Sequence, residues 1–132
     1  GVYNPKLSAR LANTAYSTAN TRNTVGMCYR GVKDALIRAN LDDGSLSGRS
    51  AYQAYSQLKK DENFTEVKVG KNELKNLPAG CLIVWDASEG HPHGHITTTL
   101  GNGKEASDHI QNLIIRDAKY SVFVPTSTNA IA

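Results

Sequence analysis

The chain has 132 residues, 39% of them hydrophobic, which suits one domain over residues 1–132 with a core that needs neither disulfides nor metal to hold it. Fifteen Lys and Arg against 12 Asp and Glu leave a net charge of +3 spread along the chain, and with 7% aromatic residues there is no basic stripe interleaved with stacking side chains, so nucleic acid is excluded as a partner. No apolar run is long enough to cross a bilayer, and Gly1-Val2-Tyr3-Asn4-Pro5 lacks the charged start and apolar stretch of a signal peptide, so the chain reads as having no membrane partner, soluble as made or after loss of a leader.

Asn4 and Pro5 form an N-cap and first-turn proline, and Leu7, Leu11 and Ala15 recur at helical spacing, which predicts a first helix ending near Asn20. The polar stretch Thr21 to Gly26 is a loop that delivers the chain to a second helix at Cys28, with Val32, Leu36 and Ile37 on one face and a stop by Asn40. Asp42-Asp43-Gly44-Ser45-Leu46-Ser47-Gly48 is turn chemistry, and Ser47 or Ser50 is placed to cap a third helix over residues 51–58. The period then changes to two. Residues 64–69 alternate, Leu77-Pro78-Ala79-Gly80 turns into an apolar strand Cys81-Leu82-Ile83-Val84-Trp85, and Asn102-Gly103 joins Ile96 to Leu100 with Lys104 to Asp108 as a hairpin. Tyr120 to Pro125 is the last strand, and residues 126–132 read as a loose tail. Helices first and an antiparallel meander afterwards make an α+β architecture.

Cys28 stands at a helix start, where unpaired N–H groups and the positive end of the helix dipole favour thiolate over thiol. A distant imidazole that takes its proton, His95 at the head of a strand, completes a nucleophile and base pair. The other cysteine, Cys81, opens an apolar strand and looks like a small buried hydrophobe, although a Cys28–Cys81 disulfide is the alternative for an exported protein. His91-Pro92-His93-Gly94-His95 invites zinc, but Pro92 and Gly94 make it a loop, and no Cys or carboxylate pair at ligand spacing accompanies it. No metal and no cofactor is assigned, and His91 and His93 are placed at the cleft mouth or in solvent.

Cysteine at a helix head, the run Leu77-Pro78-Ala79-Gly80-Cys81-Leu82-Ile83-Val84-Trp85, then Gly94-His95-Ile96 and a polar residue on the hairpin partner resemble the NlpC/P60 and CHAP group of papain-like cysteine peptidases and amidases, which cut peptidoglycan. The resemblance covers about Gly26 to Asp108. It implies a papain-like core with N-terminal helices packed on an antiparallel sheet, Cys28 as nucleophile, His95 as general base, and a third polar residue that orients the imidazole. Two candidates lie on the hairpin, Glu105 and Asp108; period-two alternation puts them on opposite faces unless a bulge intervenes. Asp108 is preferred, because Ala106-Ser107-Asp108 resembles the Ser-Asp ending of phage-type and effector-type relatives. Cys81 and Met27 depart from the pattern, since many relatives carry Asp at the first position and Asp or Gln at the second.

The same resemblance implies a secreted or periplasmic amidase or endopeptidase acting on a peptidoglycan peptide through a thioester. Its setting would be a type VI secretion effector with an immunity partner, a housekeeping hydrolase or a phage lysis enzyme, and its expected state is a monomer. The alternatives are a non-catalytic exported binding module closed by the disulfide, and an intracellular thiol acyl transferase or isopeptide hydrolase.

Overall fold

The computed structural model describes residues 2–41, 46–48 and 50–127, with the backbone alone described at Val2, Tyr3 and Ser127. Helix α1 (Pro5–Arg22) begins where expected: the Asn4 side chain accepts from the Lys6 N–H at 3.0 Å, and Pro5 fills the first turn. It runs past Asn20 and stops at Asn23, whose φ of +47° is the left-handed cap conformation that asparagine tolerates. Its buried residues, Ser8, Leu11, Ala12, Ala15, Thr18 and Ala19, form one stripe. The small side chains at Ala15 and Ala19 let it close on Ala35 of α2 (Cys28–Arg38).

In α2 the buried stripe is Val32, Ala35 and Leu36, whereas Ile37 is 48% exposed. One residue on from Leu36 is about 100° around the helix, which turns Ile37 away from the core. A 3₁₀ turn Ala51–Gln53 follows, and the Ser50 N–H donates to Gln53 Oε1 at 2.9 Å before the chain enters α3 (Ala54–Lys60). The turn chemistry at residues 42–45 lies outside the described residues, as does the tail from residue 128 onward.

The strands are β1 (Val2–Tyr3), β2 (Phe64–Val67), β3 (Leu82–Trp85), β4 (His95–Thr99), β5 (Lys104–Ala106), β6 (Ile110–Asn112) and β7 (Tyr120–Ser127). They pair antiparallel in the order β1-β7-β3-β4-β5-β6, with β2 also on β7. The meander therefore runs from β3 to β6, and β7 returns to fill the place between β2 and β3. The short β1 and β6 and a 3₁₀ helix Lys71–Asn76 carry too little periodicity to be legible in sequence. At the β4–β5 hairpin the left-handed residues are Gly101 and Gly103, flanked by the Leu100–Lys104 backbone bond, so Asn102 sits at the tip without positive φ.

Alternation along β3 separates two cores. Leu82 and Val84 join Leu11, Val32, Leu36, Leu58, Ile96 and Phe123 under the helices. Cys81, Ile83 and Trp85 join Leu74, Leu113 and Val122 on the other face. Each such aliphatic or aromatic side chain contributes about 1.5–3 kcal/mol on burial, so α2 is clamped to the sheet.

Candidate active site

Cys28 opens α2 and packs half-buried against the helix-side core. Met27 is the N-cap and supplies no side-chain cap, so the first-turn N–H groups of α2 remain without the usual side-chain acceptor. Gly31, one turn along, sets how closely the helix approaches: a Cβ there would lie 2.4 Å from the Ser107 carbonyl oxygen in the β5–β6 turn. Gly31→Ala is accordingly expected to push α2 off that turn, costing about 1–3 kcal/mol of stability in denaturant titration and slowing alkylation of Cys28.

His95 begins β4 immediately after Gly94, whose φ of +66° and approach to the Trp85 carbonyl, 2.2 Å from where a Cβ would stand, leave no room for a side chain. The imidazole is almost wholly buried. Register pairs Thr99 with Glu105, which places His95, Thr97, Thr99 and Glu105 on one face of the sheet. Glu105 reaches along that face to His95, with Oε2 3.5 Å from Nε2, and the pair is buried. Neither His95 Nε2 nor Glu105 Oε1 has a hydrogen-bond partner among the described residues, and the approach of Oε2 to Nε2 is the contact that joins the carboxylate to the ring. That leaves Nδ1 to serve the sulfur.

Asp108 is elsewhere. Strand β5 ends at Ala106, so Asp108 falls in the turn to β6 and not on a strand face, and its carboxylate turns toward the loop in front of Cys28. Oδ2 accepts from the Met27 N–H at 2.8 Å and from the Thr24 hydroxyl at 3.1 Å, while Oδ1 meets His109 Nδ1 at 2.9 Å. Of the two sequence candidates, Asp108 being the one preferred, the structure places Glu105 beside the imidazole and Asp108 against the backbone that leads into Cys28. His109 and Gln111, which sequence reasoning did not single out, continue the polar chain, with His109 Nε2 3.0 Å from Gln111 Oε1 and the Gln111 amide donating to Glu105 Oε2.

Electrostatics favour charge separation in the pair. Burial pushes the Cys28 thiol up, but its hydrogen bond and charge interaction with His95, helped by the Ile96 backbone N–H, bring it below its ordinary value. Burial works to lower His95, yet Cys28 and Glu105 together raise it above the ordinary imidazole value. Asp108 is opposed by burial and nonetheless held below the usual carboxylate range by the Met27 N–H, His109 and Thr24. His109, likewise opposed by burial, is raised by Gln111, Asp108 and the Thr24 backbone.

A cleft of about 500 Å³ opens at Cys28, lined also by Met27, Tyr29, Arg30, Lys33 and His93. His93 is fixed there by Ser50 Oγ, 2.6 Å from its Nδ1, whereas His91 lies out beside Arg116 at 3.5 Å. Among the described residues no group of three or more His, Cys, Asp or Glu is arranged to hold a metal ion. No described helix is long and apolar enough to cross a membrane.

Both cysteines are free thiols. Cys28 packs with the helix-side core and Cys81 with the other, and the alternative disulfide does not form. Burial raises the Cys81 thiol, with a hydrogen bond from Thr99 opposing it. Iodoacetamide at neutral pH is expected to label Cys28 in the folded protein and Cys81 only after denaturation, as read by peptide mass spectrometry.

No family model matches the chain, and no curated protein does. Two solved structures match in fold. A chain of the native type VI effector–immunity complex Tae3–Tai3 from Ralstonia pickettii is 24% identical, with a TM-score of 0.71 over 91% of this chain and 98% of that one. The selenomethionine form of the same complex gives 25% identity and a TM-score of 0.61 over 88% of this chain and 98% of that one. The papain-like α+β fold, with helices packed on an antiparallel sheet, is thus one that a type VI effector–immunity complex also contains.

Proposed function

We propose that this chain is a cysteine-dependent peptidoglycan amidase or endopeptidase, a type VI effector that acts in the periplasm of a target cell and is neutralised by an immunity protein. The observation that carries the proposal is the meeting of Cys28, which lines an open cleft, with the buried His95 and Glu105, from three separate elements. The likeness to a chain of the Tae3–Tai3 complex supports the setting and the partner. Within that likeness we take the matched chain to be the effector, because a thiol and imidazole at the mouth of a cleft suit an enzyme.

In the reaction the Cys28 thiolate attacks the carbonyl carbon of a stem-peptide or cross-bridge amide. The oxyanion is received by first-turn N–H groups of α2, beginning with that of Cys28. His95, protonated when the thiolate forms, gives its proton to the leaving nitrogen as the C–N bond breaks, which leaves a thioester on Cys28 and an amine product. Water then surrenders a proton to His95 as it attacks the thioester, and the thiolate departs. Glu105 keeps the ring oriented and offsets the imidazolium charge throughout. Arg30 and Lys33 bring cations to the same cleft, which suits a substrate rich in carboxylates. Digestion of purified sacculi followed by mass spectrometry of the muropeptides tests the proposal: a new free amine and carboxylate at one stem-peptide bond are expected, and sacculi left intact by folded protein would overturn it.

A further inference from the structure

Six side chains that touch one another in turn connect the loop before Cys28 to the ring behind it. The Met27 N–H and Thr24 hydroxyl donate to Asp108; Asp108 meets His109; His109 meets Gln111; the Gln111 amide donates to Glu105; Glu105 faces His95; and His95 faces Cys28. We propose that His109 and Gln111 are positioning residues that close this circuit, so that the nucleophile's loop and the base are held by one hydrogen-bonded unit rather than by two independent anchors. The proposal rests on the roles given above to Cys28 and His95 and deepens them.

Donor and acceptor arithmetic carries it. A carboxylate only accepts, so Gln111, directly opposite Glu105 in the β5–β6 register, must present its NH₂ to Glu105. Its carbonyl oxygen is then left for His109, and that oxygen also only accepts, so His109 Nε2 must carry a hydrogen. Asp108 demands a second hydrogen on His109 Nδ1. Both demands are met only by an imidazolium, the form toward which the surroundings of His109 already push it. The charged group acting on that ring is Asp108, and the Thr24 backbone and Gln111 amide complete its polar contacts. A neutral His109 has one N–H and must release Asp108 or Gln111, or force the Gln111 amide to turn its oxygen toward Glu105. Val25, between the Thr24 and Met27 contacts, is 85% exposed, so burial does little to hold the loop once Asp108 is released.

The rate of Cys28 alkylation between pH 5 and 9, read by mass spectrometry, reports the thiolate without any substrate. Gln111→Leu is expected to lower that rate at neutral pH about tenfold, the effect of a shift of about one pKa unit. Combined with Glu105→Gln, Gln111→Leu is expected to add little further loss, because both act on the same link, whereas independent structural damage adds. Gln111→Met, of similar length and equally unable to hydrogen-bond, is the second variant, with circular dichroism checking that each is folded. A wild-type rate and pH profile in a folded Gln111 variant, or full additivity with Glu105→Gln, would overturn the circuit. A chain that shows the coupled profile yet leaves sacculi intact supports the circuit and overturns the proposed substrate instead.

Discussion

Cys28→Ala is expected to abolish digestion of sacculi, lowering kcat/KM by at least about a thousandfold, with stability changed by no more than about 1 kcal/mol. The two halves of that expectation have different causes. Covalent catalysis needs an atom at this position that attacks carbon and then leaves it, and neither the Ala methyl nor water held in its place has a base-matched pKa for the task. Stability is little affected because Cys28 is only half-buried at the rim of the core, where loss of one sulfur opens no enclosed cavity. Cys28→Ser extends the test. It keeps the shape, but a hydroxyl is not lowered into reach by His95 as the thiol is, so it should remain close to inactive. Retained muropeptide release in the Ala variant, checked by chromatography against the parent protein, would remove Cys28 from the reaction.

Glu105 and Asp108 should separate cleanly when each is replaced by alanine. Glu105→Ala takes away the carboxylate beside a buried imidazole, and kcat should fall about 10²–10⁴-fold, the range spanned when the orienting group behind a catalytic histidine is lost. Its gentler relative Glu105→Gln should also move the alkaline limb of activity to lower pH. The sign follows from His95, which is raised in the folded protein in part by Glu105. Imidazolium is retained up to that raised value, and removing the charge brings the limb down toward the ordinary one.

Asp108→Ala should instead act mainly on stability and on the loop over residues 23–27. The Asp108 carboxylate is depressed in the folded protein, so its contribution is present above the ordinary carboxylate range and disappears as pH falls through the depressed value. The variant should therefore lose stability at neutral pH, by about 2–3 kcal/mol for buried hydrogen bonds to a charged group, and lose less than the parent on acidification. Denaturant titrations at neutral and at acidic pH, beside pH–rate profiles, distinguish the two. Should Asp108→Ala shift the alkaline limb and Glu105→Ala leave it in place, the assignment of their roles would be reversed.

The Cys28 helix start, the His95 strand start and the buried strand before it were legible because each is written locally. A polar loop ending in glycine precedes an amphipathic run at Cys28, and Gly94 precedes an alternation at His95. The apolar run Leu82-Ile83-Val84-Trp85 likewise announces a strand, and all four residues are buried in one. The alternative disulfide was not decidable at that level, since two cysteines in a list have no sides of a sheet. Which carboxylate lies beside His95 was open for a related reason: Ser107-Asp108 resembles a family ending, but whether those residues are strand or turn depends on where β5 ends.

Local pattern thus accounts for the longer helices and strands, for the Asn4 cap, and for Cys28 and His95 as candidates, because propensity, capping and periodicity act over a few residues. The partner of His95, the separation of Cys81 from Cys28 and the circuit through His109 and Gln111 arose only when the sheet closed. Register between β4, β5 and β6 is a long-range property in which a one-residue slip exchanges the two faces. Glu105 and Gln111 were placed by that register, not by their neighbours in the chain.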